Sequence, residues 1–560
     1  MHRDAVAPQR VLLVASAAED GRLRTLLADV SSRAELAGRN GDLPDLAAFD
    51  SVLLGEESAA LGPAELERLT GYVEEGGQVI ALGDAAPPDP LARLLGHRAE
   101  DRLPLGEFFG RVADGEHQLL RSLPPEFAFV DSFAPLAATN GETRPLIEVS
   151  VHYRNRVAVA EHRLGGGRVI VSALSANGRA FESPALRAFL RRCLQPRNEG
   201  VGEAPLGVAI VGYGPLGGIG YTHALAIEQT AGLELVAICD SASERARSAA
   251  ADFPAAAAYT SVAAVVADPR VGAAIVATPP ASHTALTLGL LQAGKHVICE
   301  KPLCFTLAEA ERLFDTAVGN GLVLTVNQNR RWDADFLTVR GVIESGLLGE
   351  VFNVETFVGS FEHPCREWHS DAAVSGGAEF DWGAHYLDWI LELMPGAPRS
   401  VAANGHKRVW HDVSNLDQVR VRLAWEDGRE AEFLHSDVAA VRRPKFYVQG
   451  TAGTLVGHYR PLVSERIEPG RGYVREESHH AEAPADLTLV RYEPLGGGLR
   501  EQRLPLLPSE PLAFYRNFAD HVLFGDPALA VEQHSTRRLI GVLEAAHKSA
   551  EQGGRPLTPG

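Results

Sequence analysis

Three ionisable residues, Lys301, Asp381 and His385, have the side chains and spacing needed to move a proton to or from a hydroxyl group. Lys301 follows the apolar run HVIC and stands between Glu300 and Pro302, where partial burial favours polarising a hydroxyl or exchanging its proton. Asp381 and His385 are four residues apart in DWGAH, so a helix would place them on one face. Imidazole titrates near neutral pH, which makes His385 the candidate base and Asp381 the group that orients it.

A glycine-rich turn that precedes these residues predicts a phosphate site. In VAIVGYGPLGGIGYTHALAI, an apolar strand runs into Gly212, Gly214 and Gly217, and we expect a helix to begin near Tyr221 or Thr222. In such a turn the first glycine allows tight curvature, the second lets the backbone approach a pyrophosphate, and the third lets the helix pack on the strand. The N-terminus of the helix adds free N–H groups and a partial positive charge.

The next strand, LELVAICDS, ends at Asp240, 28 residues after Gly212. An acidic residue in this region can bind the hydroxyls of the adenosine ribose, and its charge repels a 2′-phosphate. The sequence therefore predicts a dinucleotide site that favours NAD. Arg245 and Arg247 are close enough in sequence to weaken that preference, so NADP stays possible.

The overall composition is that of a globular protein with a strongly acidic balance. Among 560 residues, 53 basic and 72 acidic side chains give a net charge of −19, which argues against nucleic acid or an anionic membrane as the main partner. The five cysteines contain no CxxC pair, as expected of reduced thiols in a cytoplasm. No apolar run of about 18 residues and no secretory signal occurs. We expect a cytoplasmic protein.

The first third of the chain predicts a separate α/β domain over residues 1–195, followed by a polar linker at 196–204. The runs RVLLVAS, DSVLLGE, GQVIALGD and GRVIVSAL are typical of parallel strands, and GPAELERLTGYVEEGG between two of them completes a β-α-β unit of a flavodoxin-like, doubly wound domain. This region resembles the ThuA-like relatives of the class I glutamine amidotransferase fold. Catalytic amidotransferases carry a cysteine nucleophile in the turn after such a strand, whereas this turn has Gly83 and Asp84. The resemblance therefore implies docking or oligomerisation, without glutaminase activity.

The rest of the chain resembles the Gfo/Idh/MocA family of nicotinamide-dependent sugar and cyclitol oxidoreductases. The resemblance begins with GAAIVATPPASHTALTLGLLQAGKHVICEKPL and continues through QNRRWDADF, GGAEFDWGAHYLDWIL and PLAFYRNFADHV, so that it covers about residues 205–555. The family commonly places a histidine three residues after its last glycine. Here His223 has that spacing to Gly220, so either Gly217 or Gly220 fills the third glycine position.

The resemblance implies three further parts of the fold. A Rossmann domain over residues 205–327 would bind the dinucleotide, and an α/β domain over 328–510 would bind substrate on an open, mostly antiparallel sheet. C-terminal helices in 511–560 would pack back on this oxidoreductase unit. The family's second domain is often an oligomer interface, which implies a homo-oligomer, either a dimer or a tetramer.

The resemblance also implies roles for individual residues. Lys301 would lie near the nicotinamide and the substrate hydroxyl, with His385 as the acid or base and Asp381 as its partner. Together with the turn, the implied cofactor contacts are Gly212, Gly214, Gly217, Gly220, Asp240, Thr278, Pro279, His283, Glu300 and Lys301. Aromatic and charged groups suit a polyol, and the candidates for binding a sugar or cyclitol are Asn329, Arg330, Arg366, Trp368, His369 and Asp371.

Three alternatives stay open at this point. A redox-neutral glycoside hydrolase or lyase would oxidise its sugar transiently with bound NAD and release an aglycone. A non-catalytic NAD-binding sensor would not need the proton-handling set of Lys301, Asp381 and His385. Asp381 and His385 also have a spacing that can bind zinc, but nicotinamide chemistry needs no metal, and we expect none.

Overall fold

The chain forms two compact units. The first contains residues Met1–Pro205, Thr230–Gly232 and Arg516–Ala528, and the second contains Leu206–Gln229, Leu233–Tyr515 and Leu529–Gly560. The predicted linker and the turn residue Asp84 lie outside the described residues. The computed structural model describes residues 9–560 except 16, 31–33, 39–42, 56–60, 84–93, 114–116, 118, 121–122, 140–142, 152–153, 176–177, 195–204, 215–217, 366, 479–482, 494–496 and 525–527.

The described residues of the first unit form a mixed sheet and three helices of ten or more residues. Its strands are β1 (Gln9–Val14), β2 (Ala34–Gly38), β3 (Ser51–Leu54), β4 (Gln78–Leu82), β5 (His97–Ala99), β6 (Gly106–Val112), β7 (Glu126–Asp131), β8 (Leu136–Ala138), β9 (Thr143–Val151), β10 (Arg154–Leu164) and β11 (Gly167–Ser172). Its helices are α1 (Ala17–Val30), α2 (Pro63–Glu74) and α3 (Pro184–Cys193). Strands β2-β1-β3-β4-β11 are parallel in that order, and β10, β9, β6 and β7 extend the sheet in antiparallel fashion.

The parallel part of this sheet contains the four strands that the sequence predicted. Every residue of β3 and β4 is buried, as expected where both faces of a sheet are covered. The order of the five parallel strands is the one found in flavodoxin-like sheets. The antiparallel extension was not predicted, because strands such as β6 are only partly buried and lack a continuous apolar run. Kinship with ThuA-like proteins stays a prediction.

The second unit begins with a six-stranded parallel sheet in the order β14-β13-β12-β15-β16-β17. Its strands are β12 (Leu206–Val211), β13 (Leu233–Cys239), β14 (Ala257–Tyr259), β15 (Ala273–Val276), β16 (His296–Cys299) and β17 (Leu324–Val326). The helices are α4 (Ile219–Glu228), α5 (Ser243–Asp252), α6 (Val262–Ala267), α7 (His283–Gln292) and α8 (Leu307–Gly319). This is the Rossmann order, as predicted, and its strand order reverses between β12 and β15, where dinucleotides bind at the carboxyl ends.

A second sheet follows, in which eight strands have the order β19-β20-β21-β18-β22-β23-β26-β27. Its strands are β18 (Val351–Gly359), β19 (Ser400–His406), β20 (Gln418–Ala424), β21 (Glu430–Ser436), β22 (Phe446–Gly450), β23 (Gly453–Tyr459), β26 (Ala485–Glu493) and β27 (Gly498–Leu504), and β24 (Leu462–Glu468) and β25 (Gly472–Ser478) form a separate hairpin. The helices are α9 (Ala334–Glu344), α10 (Ala372–Ser375), α11 (Ala378–Asp381) and α12 (Gly383–Leu393). Only β18 and β21 pair in parallel, which confirms the mostly antiparallel sheet.

The composition of residues 462–510, rich in proline, glycine and charge, suggests a long excursion from the domain, but two strands of this segment belong to the main sheet. Strands β26 and β27 extend the main sheet, because β26 buries alternate residues such as Leu487 and Leu489 against it. Proline, glycine and charge in this segment mark the turns and the exposed β24–β25 hairpin.

Two helices complete the chain, α13 (Ala513–Phe524) and α14 (Gln533–Glu551). Helix α14 packs on the second unit, where Glu544 accepts a hydrogen bond from the Leu307 amide at 2.8 Å. Residues 516–528, which include most of α13, cluster with the first unit, which differs from the predicted packing of all C-terminal helices. Within the described ranges, no helix is both long enough and apolar enough to cross a membrane.

Candidate active site

The glycine-rich turn leaves the carboxyl end of β12 and passes beside the residue that follows β15. Gly212 has a φ of +102°, and a Cβ atom there would lie 2.6 Å from the carbonyl oxygen of Ala277, so only glycine fits. Gly214 has a φ of +77°, and the nearest atom to a Cβ built there is 3.9 Å away. Among the described residues, none therefore crowds its backbone. Gly217 lies outside the described residues.

Gly220 has the packing position that the third glycine occupies in a dinucleotide-binding turn. Helix α4 begins at Ile219, two residues before the predicted start, so Gly220 belongs to its first turn. A Cβ atom on Gly220 would lie 2.6 Å from Cα of Tyr213 and would push the helix away from the strand. The open backbone at Gly214 and the N–H groups of the first helical turn fit the pyrophosphate of NAD or NADP.

Asp240 braces the same turn from the end of β13. Its Oδ2 accepts hydrogen bonds from the amides of Tyr213 and Gly214 at 3.1 and 3.0 Å, and its Oδ1 accepts one from Ala242 at 2.9 Å. The side chain of Arg245 is half-exposed, with Nη1 3.9 Å from Oδ2. The Asp240 carboxylate thus supports the turn, and it also lies where an acid that binds the ribose is predicted.

The residues after β15 connect the turn to the loop that carries Lys301. The side chain of Thr278 lies beside Gly212, and its Oγ1 is 2.7 Å from Oγ of Ser282. Pro279 directly precedes a short 3-10 turn. His283 is fully buried, with Nδ1 2.7 Å from the carbonyl oxygen of Pro302 and Nε2 2.6 Å from that of Thr278. Burial lowers the pKa of His283, and its ring joins the two loops instead of facing a ligand.

Lys301 and Asp381 form a direct ion pair. Nζ of Lys301 donates to Oδ1 of Asp381 at 2.7 Å and to its backbone oxygen at 3.1 Å, and both side chains are about four-fifths buried. Burial on its own would raise the pKa of Asp381, but the charge and hydrogen bond of Lys301 outweigh it and hold that pKa below its ordinary value. The Asp381 carboxyl group is therefore ionised at neutral pH.

His385 lies in the first turn of α12, and Asp381 ends the short helix α11. The predicted single helix is thus interrupted at Trp382, whose carbonyl accepts the His385 amide. Burial lowers the pKa of His385 well below its ordinary value, and the positive charges of Lys301 and Arg330 lower it further. Nδ1 of His385 is buried and has no hydrogen-bond partner among the residues that the structure describes. At neutral pH this imidazole is uncharged, with a nitrogen free to meet a ligand.

Glu300 is directed into the protein and holds three groups. Oε1 accepts hydrogen bonds from Nε2 of His223 at 2.9 Å and from the side-chain amide of Asn327 at 2.6 Å, and Oε2 accepts the backbone N–H of Lys301 at 3.1 Å. Burial alone would raise the pKa of Glu300, but the hydrogen bonds and charge of these partners lower it overall. We predicted that Glu300 contacts the cofactor. Most of its capacity to accept hydrogen bonds is instead used by contacts within the protein.

Three of the predicted substrate-binding residues, Arg330, Trp368 and His369, interact with the Lys301, Asp381 and His385 set or with each other. Arg330 stacks over the ring of Trp382 at 5.6 Å and is close enough to His385 to influence its charge. Trp368 and His369 stack on each other with ring centroids 3.7 Å apart, and His369 interacts electrostatically with both Asp381 and Lys301.

Two of the other candidates, Asn329 and Asp371, have different surroundings. Asn329 is exposed at the start of a 3-10 turn. The side chain of Asp371 caps α10 by accepting the Ala373 amide at 3.0 Å. Arg366 lies outside the described residues.

The structure adds His435 to this picture. His435, at the end of β21, acts on the charge of Asp381, and buried Nδ1 atoms of His369 and His435 lack a partner within the described part of the chain. Asp388, one turn after His385, binds Arg331 through two bonds of 2.7 and 2.6 Å and is structural. His435 had no local signal, since only strand pairing places it near Asp381. No group of three or more His, Cys, Asp or Glu side chains in the described ranges is arranged to hold a metal ion.

Comparison with known proteins identifies two matched regions, both after residue 205. Residues 206–328 match the model of an oxidoreductase family with an NAD-binding Rossmann fold. Residues 336–456 match the model of the GFO/IDH/MocA C-terminal domain. The two regions correspond to the parallel sheet and to most of the second sheet, so the candidate site lies within them.

Three individual proteins illustrate the similarity. The NADP(+)-dependent scyllo-inositol 2-dehydrogenase IolW of Bacillus subtilis is 27% identical over 351 residues, which cover 62% of this chain and 94% of the relative. The 1,5-anhydro-D-fructose reductase of Ensifer adhaerens is 30% identical over 234 residues, with coverages of 41% and 70%. The structure of an NAD-binding protein from Listeria innocua has 30% identity and a TM-score of 0.53, and covers 63% of this chain and 96% of that one. The chain therefore belongs to the GFO/IDH/MocA family of NAD(P)-dependent oxidoreductases.

Proposed function

We propose that this enzyme transfers hydride between NAD or NADP and a secondary alcohol of a cyclitol or sugar. The observation that carries the proposal is a set of three buried imidazole nitrogens, on His369, His385 and His435, which have no partner within the described residues and are grouped around the Lys301–Asp381 pair. A buried polar nitrogen needs a hydrogen-bond partner. A polyol supplies several hydroxyl donors at once, and the names of the inositol and anhydrofructose relatives support the same substrate class.

The proposed mechanism uses each charged group for one task. The nicotinamide, when bound, supplies the hydride acceptor or donor. Lys301 donates a hydrogen bond to the reacting oxygen and stabilises the negative charge that develops there, while Asp381 keeps the ammonium in place. His385 accepts the hydroxyl proton at Nδ1. Its low pKa makes it a weak base, so the ammonium of Lys301 must also acidify the alcohol.

A substrate panel tests this function. Intact protein is incubated with NAD or NADP and with scyllo-inositol, myo-inositol, a series of sugars, and 2-propanol, and the absorbance of reduced nicotinamide is followed. We expect at least one polyol to reduce the coenzyme. We expect no reduction by 2-propanol, because its single hydroxyl leaves two of the three imidazole nitrogens without a hydrogen-bond partner. Release of an aglycone from a glycoside without net coenzyme reduction would instead indicate the redox-neutral alternative.

The preference between NAD and NADP is expected to depend on Asp240. We propose that its carboxylate repels a 2′-phosphate, and that Asp240→Asn raises the ratio of kcat/KM for NADP to kcat/KM for NAD by about tenfold, because the like-charge contact disappears. Asparagine keeps one oxygen for the turn amides. Asp252→Asn, which removes a carboxylate that accepts a hydrogen bond from the Tyr213 hydroxyl, is the control. An unchanged ratio in Asp240→Asn would refute this role.

We also propose that the protein is a cytoplasmic homo-oligomer in which the first unit serves assembly or docking. Five cysteines that are all free thiols support a reducing compartment. The resemblance of the first unit to amidotransferase relatives, without their nucleophilic cysteine, supports a non-catalytic role. Light scattering should give a dimer or tetramer of the 60.0 kDa chain, and a monomer at micromolar concentration would contradict the proposal.

A further inference from the structure

The carboxylate of Glu300 is the centre of a buried hydrogen-bond chain that ends at the backbone of Lys301. His223, Asn327 and Lys301 each donate to it, and none of these three bonds is longer than 3.1 Å. His223 is fully buried and Asn327 is 1% exposed. Water cannot replace a missing partner at such positions, so each donor depends on the ionised carboxylate.

Tyr515 fixes the ring of His223 from the other side. Its hydroxyl oxygen is 2.8 Å from Nδ1 of His223, and the two rings meet edge to face. In the neutral imidazole whose Nε2 donates to Glu300, Nδ1 is an acceptor and the tyrosine hydroxyl is its donor. Burial raises the pKa of Tyr515, so the hydroxyl keeps its proton at neutral pH.

The hydrogen-bond chain around Glu300 also connects two functional segments of the dinucleotide domain. His223 belongs to α4, the helix whose Gly220 packs against the glycine-rich turn. Glu300 directly precedes Lys301 after β16, and Asn327 follows the neighbouring strand β17. A shift of the His223 ring or of Glu300 would therefore move the amide of Lys301 relative to Asp381, which ends helix α11.

We propose that Glu300, held by His223, Asn327 and Tyr515, is a positioning residue that fixes the backbone of Lys301 and so sets the place of its ammonium at the reacting alcohol. The inference rests on the proposed function in one respect, namely that Lys301 binds the reacting alcohol. The contact with the Lys301 amide does not depend on it. This role differs from a direct cofactor contact, because the hydrogen bonds of Glu300 position Lys301 and leave the affinity for the coenzyme unchanged.

Two variants and one matched control test the role. Glu300→Gln presents an NH2 group either to the Lys301 amide or to both His223 and Asn327, and Tyr515→Phe removes only the hydroxyl. We expect kcat with the best polyol substrate to fall about tenfold to a hundredfold in Glu300→Gln and by a smaller factor in Tyr515→Phe. The dissociation constant of NADH should change less than about twofold, and the isotope effect on kcat with carbon-deuterated substrate should rise as hydride transfer becomes limiting. Glu544→Gln, which also loses a backbone amide contact, should change none of these.

A second readout works without turnover. Pulse labelling with acetic anhydride and mass spectrometry measures the reactivity of the Lys301 amine, which two acceptors on Asp381 shield in the native protein. We expect faster labelling of Lys301 in Glu300→Gln and Tyr515→Phe, but not in Glu544→Gln. Unchanged labelling together with a lower melting temperature would show a purely structural role and overturn the proposal, as would a tenfold weaker NADH affinity with unchanged kcat. If the wild type oxidises no polyol, the proposed function fails while labelling still decides this inference.

Discussion

Replacing Lys301 with methionine is expected to lower kcat for polyol oxidation by about a thousandfold, which corresponds to roughly 4 kcal/mol of lost transition-state stabilisation. Methionine keeps the length of the side chain but removes the ammonium that bonds Asp381 at 2.7 Å and faces the reacting oxygen in the proposed mechanism. Steady-state absorbance assays give kcat, and fluorescence titration with NADH measures cofactor binding, which should change little.

The control for this experiment is Lys548→Met. Lys548 also forms a close ion pair, with Glu544 at 2.6 Å, but lies on α14 outside the candidate site. The same loss of charge there should leave kcat unchanged. A Lys301→Met enzyme that retained more than about a tenth of wild-type kcat would exclude Lys301 as the group that stabilises the alkoxide.

Replacing His385 with asparagine is expected to lower kcat for oxidation by about a hundredfold, because the proton acceptor is lost. The pH dependence provides a sharper test. A base works when it is neutral, and burial together with Lys301 and Arg330 holds the pKa of His385 well below 6.5. The wild-type kcat/KM for oxidation should therefore stay level as the pH falls through 6.5, and decline only at lower pH where the imidazole becomes protonated.

Initial rates in constant-ionic-strength buffers test this second prediction. The acid limb should be absent in His385→Asn and unchanged in His406→Asn, which replaces a half-buried histidine on β19 outside the cluster. A wild-type limb centred near 6.5 would mean that the titrating base is an ordinary exposed imidazole, and the assignment of His385 would be wrong.

The parts of the site that the sequence predicted are those whose contacts are local in the chain. Gly212 and Gly214 were recognised because a strand, a tight turn and a helix follow one another within about twenty residues, and each glycine answers a steric need of that turn. The packing position of Gly220 required the structure, because it depends on which Cα faces Tyr213 after the helix has packed.

The roles of Glu300 and His283 show the limit of motif reasoning. The motif places both residues beside Lys301, and we predicted cofactor contacts for them. In the structure Glu300 binds His223, Asn327 and the Lys301 amide, and His283 bridges two carbonyl groups. Sequence proximity predicts that a residue lies near the site, but the direction of its side chain depends on partners up to 77 residues away.

The sequence by itself predicted the family, from motifs spread along the chain, and the parallel dinucleotide sheet, from short-range strand, turn and helix signals. It also singled out Lys301, Asp381 and His385, whose catalytic roles stay a proposal. Only the tertiary structure decided that His369 and His435 join this set and that Tyr515 is connected to Glu300 through His223. Those contacts depend on strand pairing and helix packing between segments that are distant in the chain. No local pattern records such contacts, since they form only when separate elements bury their apolar faces together.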